Sequence, residues 1–191
     1  MIEKVREKFE RVVPMEDALW VEMQEHAKKV TLKKGEVLVP YSSNRRTVNV
    51  IVSGTFEASL ISTDGDRKTV WFFFDELFDV AVCMDSYFLN ENTKYEITAL
   101  EDSVVYQFSK NIIDKWINDF TLFNEFYRSD IIGDFILLNE IRNHMVAHTP
   151  KEFLQYLKKH FPILLHRTPS KNLATFMGIT PEWLSKIRNG I

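Results

Sequence analysis

Glu182, Trp183, Ser185, Lys186 and Arg188 fall close together near the end of the chain, inside the run PSKNLATFMGITPEWLSKIR from Pro169 to Arg188. Side chains of these types can read nucleic acid. A carboxylate accepts from a cytosine amine, a lysine ammonium donates to a guanine edge, and arginine or serine can hold a phosphate oxygen. Ser170 and Lys171 add a hydroxyl and a cation at the head of the run, and Thr180 a hydroxyl in its middle. Trp183 has two uses, stacking on a sugar or thymine methyl, or packing back on His166 and its neighbours; the second is the expectation. Elsewhere, chemistry is thin. His144 and His148 stand four apart without the Glu-x-x-His arrangement of a metal site and read as a solvated helix end. Cys83 lacks a nearby base and reads as buried, while Asp79 and Asp85 read as surface charge or helix caps. No G-x-S-x-G, Walker or dinucleotide-binding pattern is present, so no enzyme activity and no metal are expected.

The same run carries the spacing of a helix-turn-helix. Leu173, Ala174 and Met177 share one face of a first short helix. Gly178 can end it in the left-handed conformation, and Ile179 plugs the corner. Thr180 is an N-cap and Pro181 a first-turn residue for a second helix, on which Leu184 and Ile187 form a narrow apolar seam. Small Ala174 allows the helices to cross closely.

Charge supports this placement. Residues 142 to 191 contain eight Lys and Arg (Arg142, Lys151, Lys158, Lys159, Arg167, Lys171, Lys186, Arg188) and two acids, Glu152 and Glu182, a balance of +6 in a chain whose net charge is −3. The rest therefore carries −9. A positive segment in an acidic chain is the footprint of a polyanion-binding unit.

At 191 residues, 45% hydrophobic and 13% aromatic, the chain has ample material for a core. One cysteine excludes an internal disulfide or a four-cysteine iron–sulfur site. No apolar stretch of about 18 or more residues suggests a membrane span, so a soluble cytoplasmic protein without membrane contact is expected.

The elements that must carry the run can be read in order. Ile2, Val5, Phe9, Val12 and Val13 give a helical stripe closed by Pro14, and a second helix follows through Ala18, Leu19, Val21 and Met23. From Lys29 to Ser109 the period is that of strands, with turns at KKGE (33 to 36), SSN (42 to 44), SGT (53 to 55) and TDGD (63 to 66). Asp64-Gly65 is a strong hairpin signal between Glu57–Ile61 and Lys68–Phe74. Seven or eight short strands in this span predict a sandwich or jelly roll. Asn111 to Asn118 reads as a short helix and Thr121 to Val146 as a long one. Along the latter Tyr127, Ile131, Asp134, Leu138, Ile141 and Met145 keep near-heptad spacing, with Asp134 standing where an apolar residue would fit. Phe123, Phe126, Ile132, Phe135 and Ile136 form a second apolar face. Two faces need two partners, and the heptad face is assigned to the same helix of a second chain. Thr149-Pro150 breaks the pattern and a helix from Lys151 to His160 follows.

In this order the elements resemble the transcription regulators of the cyclic-AMP receptor and fumarate–nitrate regulator (Crp/Fnr) superfamily, over essentially the whole chain. LKKGEVL at 32 to 38, VIVSGTFEASLISTDGDRKTV at 50 to 70 and LATFMGITPEWLSKIR at 173 to 188 carry the resemblance. It implies an α+β fold in three parts: N-terminal helices with a cyclic-nucleotide-binding-like β-roll (1–120), a long dimerisation helix (121–148) and a C-terminal helix-turn-helix domain (149–191). It further implies a homodimer, double-stranded DNA and RNA polymerase as partners, and a roughly palindromic target. The likeness is uneven: Pro181 stands where the family commonly has arginine in the recognition helix, so the family's usual target sequence does not transfer. Nor does the cyclic nucleotide. Asp75 to Ala99 contains neither the family's Gly-Glu pair nor its arginine, and offers six acids against Lys94, a poor setting for a phosphate. No cofactor is expected. A small-molecule effector, if the roll takes one, would sit among Phe72, Phe74, Phe78, Val80 and Val82, although aromatics at strand spacing are first read as core. The rival reading is a sensor of an apolar ligand whose C-terminal helices dock a protein. A metal-dependent cupin-like enzyme is weaker still, since the roll holds no histidine between Lys29 and Ser109.

Overall fold

The structure is a computed structural model and describes residues 2–190. Two helices, α1 (Glu3–Glu10) and α2 (Asp17–His26), lead into strands β1 (Lys28–Leu32), β2 (Val37–Val39), β3 (Thr47–Ser53), β4 (Thr55–Ile61), β5 (Arg67–Phe74) and β6 (Val80–Ala81). A short helix α3 (Met84–Leu89) precedes β7 (Glu96–Ala99) and β8 (Ser103–Ser109). The remainder is helical: α4 (Lys110–Asp119), α5 (Thr121–Ala147), α6 (Pro150–His160), α7 (Pro162–Arg167), α8 (Ser170–Phe176) and α9 (Pro181–Arg188). The strands form two antiparallel sheets, ordered β1-β8-β3-β6 and β2-β7-β4-β5. β4 and β5 are the expected hairpin, closed at Gly65 with φ +82°.

Strand alternation divides the side chains between faces. Ile51, Phe56, Ala58, Ile97 and Val105 belong to one buried cluster. On β3 and β8, Val48, Val52, Tyr106 and Phe108 instead meet Phe9, Leu19, Met23, Ile113, Trp116 and Phe123 of α1, α2, α4 and the start of α5. Asn49, fully buried, ties the first sheet together by donating to the Ala81 carbonyl at 2.8 Å and accepting from Gln107 at 2.8 Å. The outer side of the second sheet is covered by the chain's own C-terminal helices, and Phe72 meets Phe176 edge-on with ring centres 5.4 Å apart.

α5 runs 27 residues, but its faces are used differently from the expectation. Ile141 is buried with Phe153 and Leu157 of α6, and Met145 packs at the edge of the same cluster. Tyr127, Ile131, Asp134 and Leu138 border a cavity against the roll. Within the chain only the Ile141–Met145 end of the heptad stripe is packed away, while Ile131 and Leu138 at the cavity rim remain exposed. Spacing alone cannot tell which of two apolar faces meets the roll. Ile132 and Ile136 face outward, more than half exposed, with Val146 at 79%, while Phe135, also largely exposed, stands at the rim of the cavity. Two short helices, α3 and α7, lie where the residue spacing assigned no element; Pro162 is the first residue of α7, a position that needs no N–H. Thr149-Pro150 likewise starts a helix as well as ending one, because Thr149 and Glu152 form a reciprocal capping box.

The SGT turn tests this packing. Gly54 has φ +113°, and a Cβ there would lie 2.0 Å from Ser103 Oγ and 2.9 Å from the Ser103 Cα. Gly54→Ala should lower folding stability by at least about 1–3 kcal/mol from backbone strain alone, read as a reduced urea midpoint; an unchanged midpoint would mean that β4 and β8 are not so closely apposed.

Candidate nucleic-acid interface and internal cavity

The turn between α8 and α9 is built as the residue spacing requires. Leu173, Ala174 and Met177 are buried. Gly178 takes φ +69°, and the Ile179 N–H donates to the Ala174 carbonyl at 3.0 Å. Thr180 caps α9 by accepting from the Trp183 N–H at 3.2 Å, and Leu184 is fully buried against α8. What this leaves in solvent is Lys171, Thr180, Glu182, Trp183, Ser185 and Lys186. Arg188 is half-buried and donates to Ser170 Oγ at 2.8 Å, so the first residue of α8 is tied to the end of α9. Trp183 corrects the expectation that it packs on His166. It is half exposed and borders a shallow surface recess with Lys151, Glu182, Lys186 and Ile187, whereas His166 lies beside Arg188, Leu154 and Lys158.

The cations of the C-terminal segment divide into two kinds. Arg167 is committed to the roll, with its guanidinium on Asp75 and, at 2.6 Å, on Glu101. The other seven form no ion pair with an acid among the described residues; Arg142 and the five lysines are exposed to solvent, and Arg188 is half-buried on Ser170.

Arg167 is one of several contacts that seat this segment on the second sheet. Asn172 Nδ2 donates to the buried Glu57 carboxylate, which also accepts from Thr69 Oγ1 at 3.0 Å. The Thr175 and Thr69 hydroxyls meet at 3.0 Å. Phe176 adds apolar contact, lying against Trp71 (6.0 Å between centres) as well as Phe72.

On the other flank of the roll, a cavity of about 640 Å³ opens between the sheets, α1 and α5. Phe78, Val80 and Val82 line it, as the residue pattern suggests; Phe72 and Phe74 do not. Those two rings are buried under the C-terminal helices, where Arg167 lies 6.0 Å from the Phe74 centroid. Three carboxylates border the space: Asp134, read from spacing as part of the dimer stripe, and Asp79 and Asp130, which the residue pattern assigned to no site. Asp79 is no helix cap or free surface charge: it pairs with Lys8, whose ammonium also donates to the Asp75 carbonyl at 2.6 Å. Burial pushes the Asp130 carboxyl up to about 6, aided by the negative charge of Asp79. Burial likewise raises Asp134 to about 7, with Asp130 and then Asp79 adding to it. Asp134 was legible as the break in an apolar stripe; Asp130 and Lys8 gave no such signal. Tyr87 also lines the wall, and its buried hydroxyl, beside that of Tyr127, closes no hydrogen bond of good geometry.

Two further expectations resolve here. Cys83 is buried, and loss of hydration pushes its thiol up to about 11. Of the two histidines at the end of α5, His148 is exposed as expected, whereas the half-buried His144 ring stacks on Tyr156 with centres 3.6 Å apart. No helix among the described residues is long and apolar enough to cross a membrane.

No family model matches this chain, and no curated protein matches it in sequence. Solved structures do match it. FixK2 from Bradyrhizobium japonicum superposes with a TM-score of 0.68 at 14% identity, over 86% of this chain and 83% of that one. A variant of CooA from Carboxydothermus hydrogenoformans gives 0.67 at 16% identity, over 92% and 80%. A transcriptional regulator assigned to the Crp/Fnr family from Eubacterium rectale gives 0.67 at 14%, over 92% and 83%. The chain thus has the fold of Crp/Fnr transcription regulators, with β-roll, long helix and C-terminal helices.

The two buried carboxyls set a pH dependence. Their native-state values lie above the ordinary 3.8, so the folded chain holds more protons than the unfolded one between about pH 4 and 7. Their contribution is greatest below that window and is lost as pH rises through it. Asp134→Asn should flatten this part of the stability–pH profile measured by urea unfolding. Phe176→Ala should cost about 3–5 kcal/mol in the same assay if the C-terminal helices unfold with the roll; a loss under 1 kcal/mol would indicate that they separate first.

Proposed function

We propose that the protein is a homodimeric, sequence-specific DNA-binding transcription regulator of the Crp/Fnr type that responds to an effector other than cyclic AMP. The observation that carries this reading is the solvent face of α9 and the start of α8, where Lys171, Glu182, Ser185 and Lys186 stand exposed in a positively charged segment. The likeness of the whole fold to known transcription regulators supports it.

Each subunit would lay α9 in a major groove. Lys186 donates to a guanine edge and Glu182 accepts from a cytosine amine, each well-made contact supplying about 1–3 kcal/mol of discrimination. Lys171 and Arg188 are suited to phosphates; Arg188 would share itself with Ser170, and exposed Trp183 is free to lie on a sugar or a thymine methyl. Thr180 acts mainly as the cap that aims the helix. The dimer would be sealed by Ile132, Ile136 and Val146, the outward face of α5. A cyclic phosphate is disfavoured in the cavity, where three carboxylates face one lysine already paired with Asp79.

Two experiments test this. In fluorescence-anisotropy titrations on genomic DNA fragments, Lys186→Ala should abolish preference among fragments, while Lys171→Ala should weaken binding uniformly and reduce the log–log salt slope by about 1. Binding that is insensitive to salt would instead favour a helical pair that docks a protein. Ile136→Asp should convert the dimer to monomer in sedimentation equilibrium, and a dimer unaffected by it would place the interface elsewhere.

A further inference from the structure

We propose that the cavity between the roll and α5 binds an apolar molecule bearing a positively charged nitrogen, whose hydrophobic body fills the space and whose cation meets the Asp130 and Asp134 carboxylates. The inference rests on the cavity being the effector site of the regulator proposed above, and names the class of ligand.

Size and lining come first. About 640 Å³ is in the range of pockets that enclose small molecules, and most of the wall is aliphatic or aromatic, including Val48, Val82, Phe73 and Phe123. Apolar walls supply affinity without selecting a charge. The charged groups on the wall make that selection, and all but one are acids. The exception, Lys8, is held by Asp79 and the Asp75 carbonyl, so it is not available to an anionic ligand.

Asp130 and Asp134 are one helical turn apart, which puts both carboxyls beside one point in the cavity. Neither has an ion-pair partner among the described residues. A carboxylate in this setting is costly when the cavity is empty and becomes favourable when a cation arrives, through charge-assisted hydrogen bonds. Their raised proton affinity in the empty protein has the same cause. The charged groups facing them are Asp79 from the roll and Lys8 from α1, and the one cation of these is already paired with Asp79. Neutral molecules would gain only apolar burial, and anions would meet carboxylates.

Three probes of one shape separate these cases: 1-naphthylmethylamine, 1-naphthylmethanol and 1-naphthoate, titrated into the full-length protein by calorimetry at mildly alkaline pH. The amine is expected to bind at least about tenfold tighter than the alcohol, with the carboxylate weakest. In the Asp130→Asn/Asp134→Asn double variant the preference for amine should vanish while the affinity for the alcohol is retained, a pattern that a misfolded variant would not give. Equal binding of amine and alcohol by the unmodified protein, tighter binding of the carboxylate, or an amine preference that survives in the double variant would each overturn the assignment. Binding of the alcohol alone would keep the cavity as a site and overturn the cation. No binding of any probe would overturn the site itself, and DNA titrations of the same sample would then report separately on the regulator.

Discussion

Both sheets of the roll carry large apolar side chains on their outer as well as their inner faces, and covering the two outer faces dictates the rest of the molecule. Val48, Val52, Tyr106 and Phe108 on one side, and Phe72 and Phe74 on the other, would be exposed in a bare sandwich. Fully burying a side chain of this kind contributes about 1.5–3 kcal/mol. The first face is met by α1, α2, α4 and the start of α5. The second is met by α7 and α8, so the candidate DNA-reading unit is part of the structure that buries the roll. That is why the C-terminal helices share one hydrophobic cluster with the strands.

Apolar contact makes this docking favourable, and polar contact makes it specific. Glu57 is buried at the joint and is compensated by Thr69 and Asn172, with Thr175 completing the set. A shift of α8 along the sheet would take Asn172 from the buried Glu57 carboxylate and leave it with Thr69 alone, at a cost larger than a lost apolar contact. Arg167 between Asp75 and Glu101 fixes the other end in the same way.

Local signals were readable in the amino-acid sequence because they depend on neighbours in the chain. The Asp64-Gly65 hairpin, the Gly178 corner, the Thr180 cap and the length of α5 all follow from spacing and backbone chemistry. Long-range choices were hidden. Which face of α5 meets the roll, that Phe72 and Phe74 lie under the C-terminal helices, and that Trp183 points to solvent all depend on partners distant in sequence. The positive segment was visible, yet that Arg167 is spent on the roll was not. Of the cavity, Phe78, Val80 and Val82 were accessible to a reading of strand periodicity. Asp130 and Asp134 acquire their character only from burial, and Asp79 only from Lys8.

Trp71 occupies an unusual position among these contacts. Its indole borders the cavity and lies edge-on to Phe78 at 4.7 Å, and it also meets Phe176 of α8 at 6.0 Å. One side chain is therefore common to the cavity wall and to the seat of the helix-turn-helix. Side chains move between discrete rotamers and not by gradual deformation. A change of rotamer at Trp71 would reshape the wall and the seat in one step, so the two regions cannot adjust independently through it. Whatever free energy of coupling passes through that ring must act equally in both directions: an occupant that alters the hold on α8 has its own affinity altered, by the same factor, when α8 is drawn away.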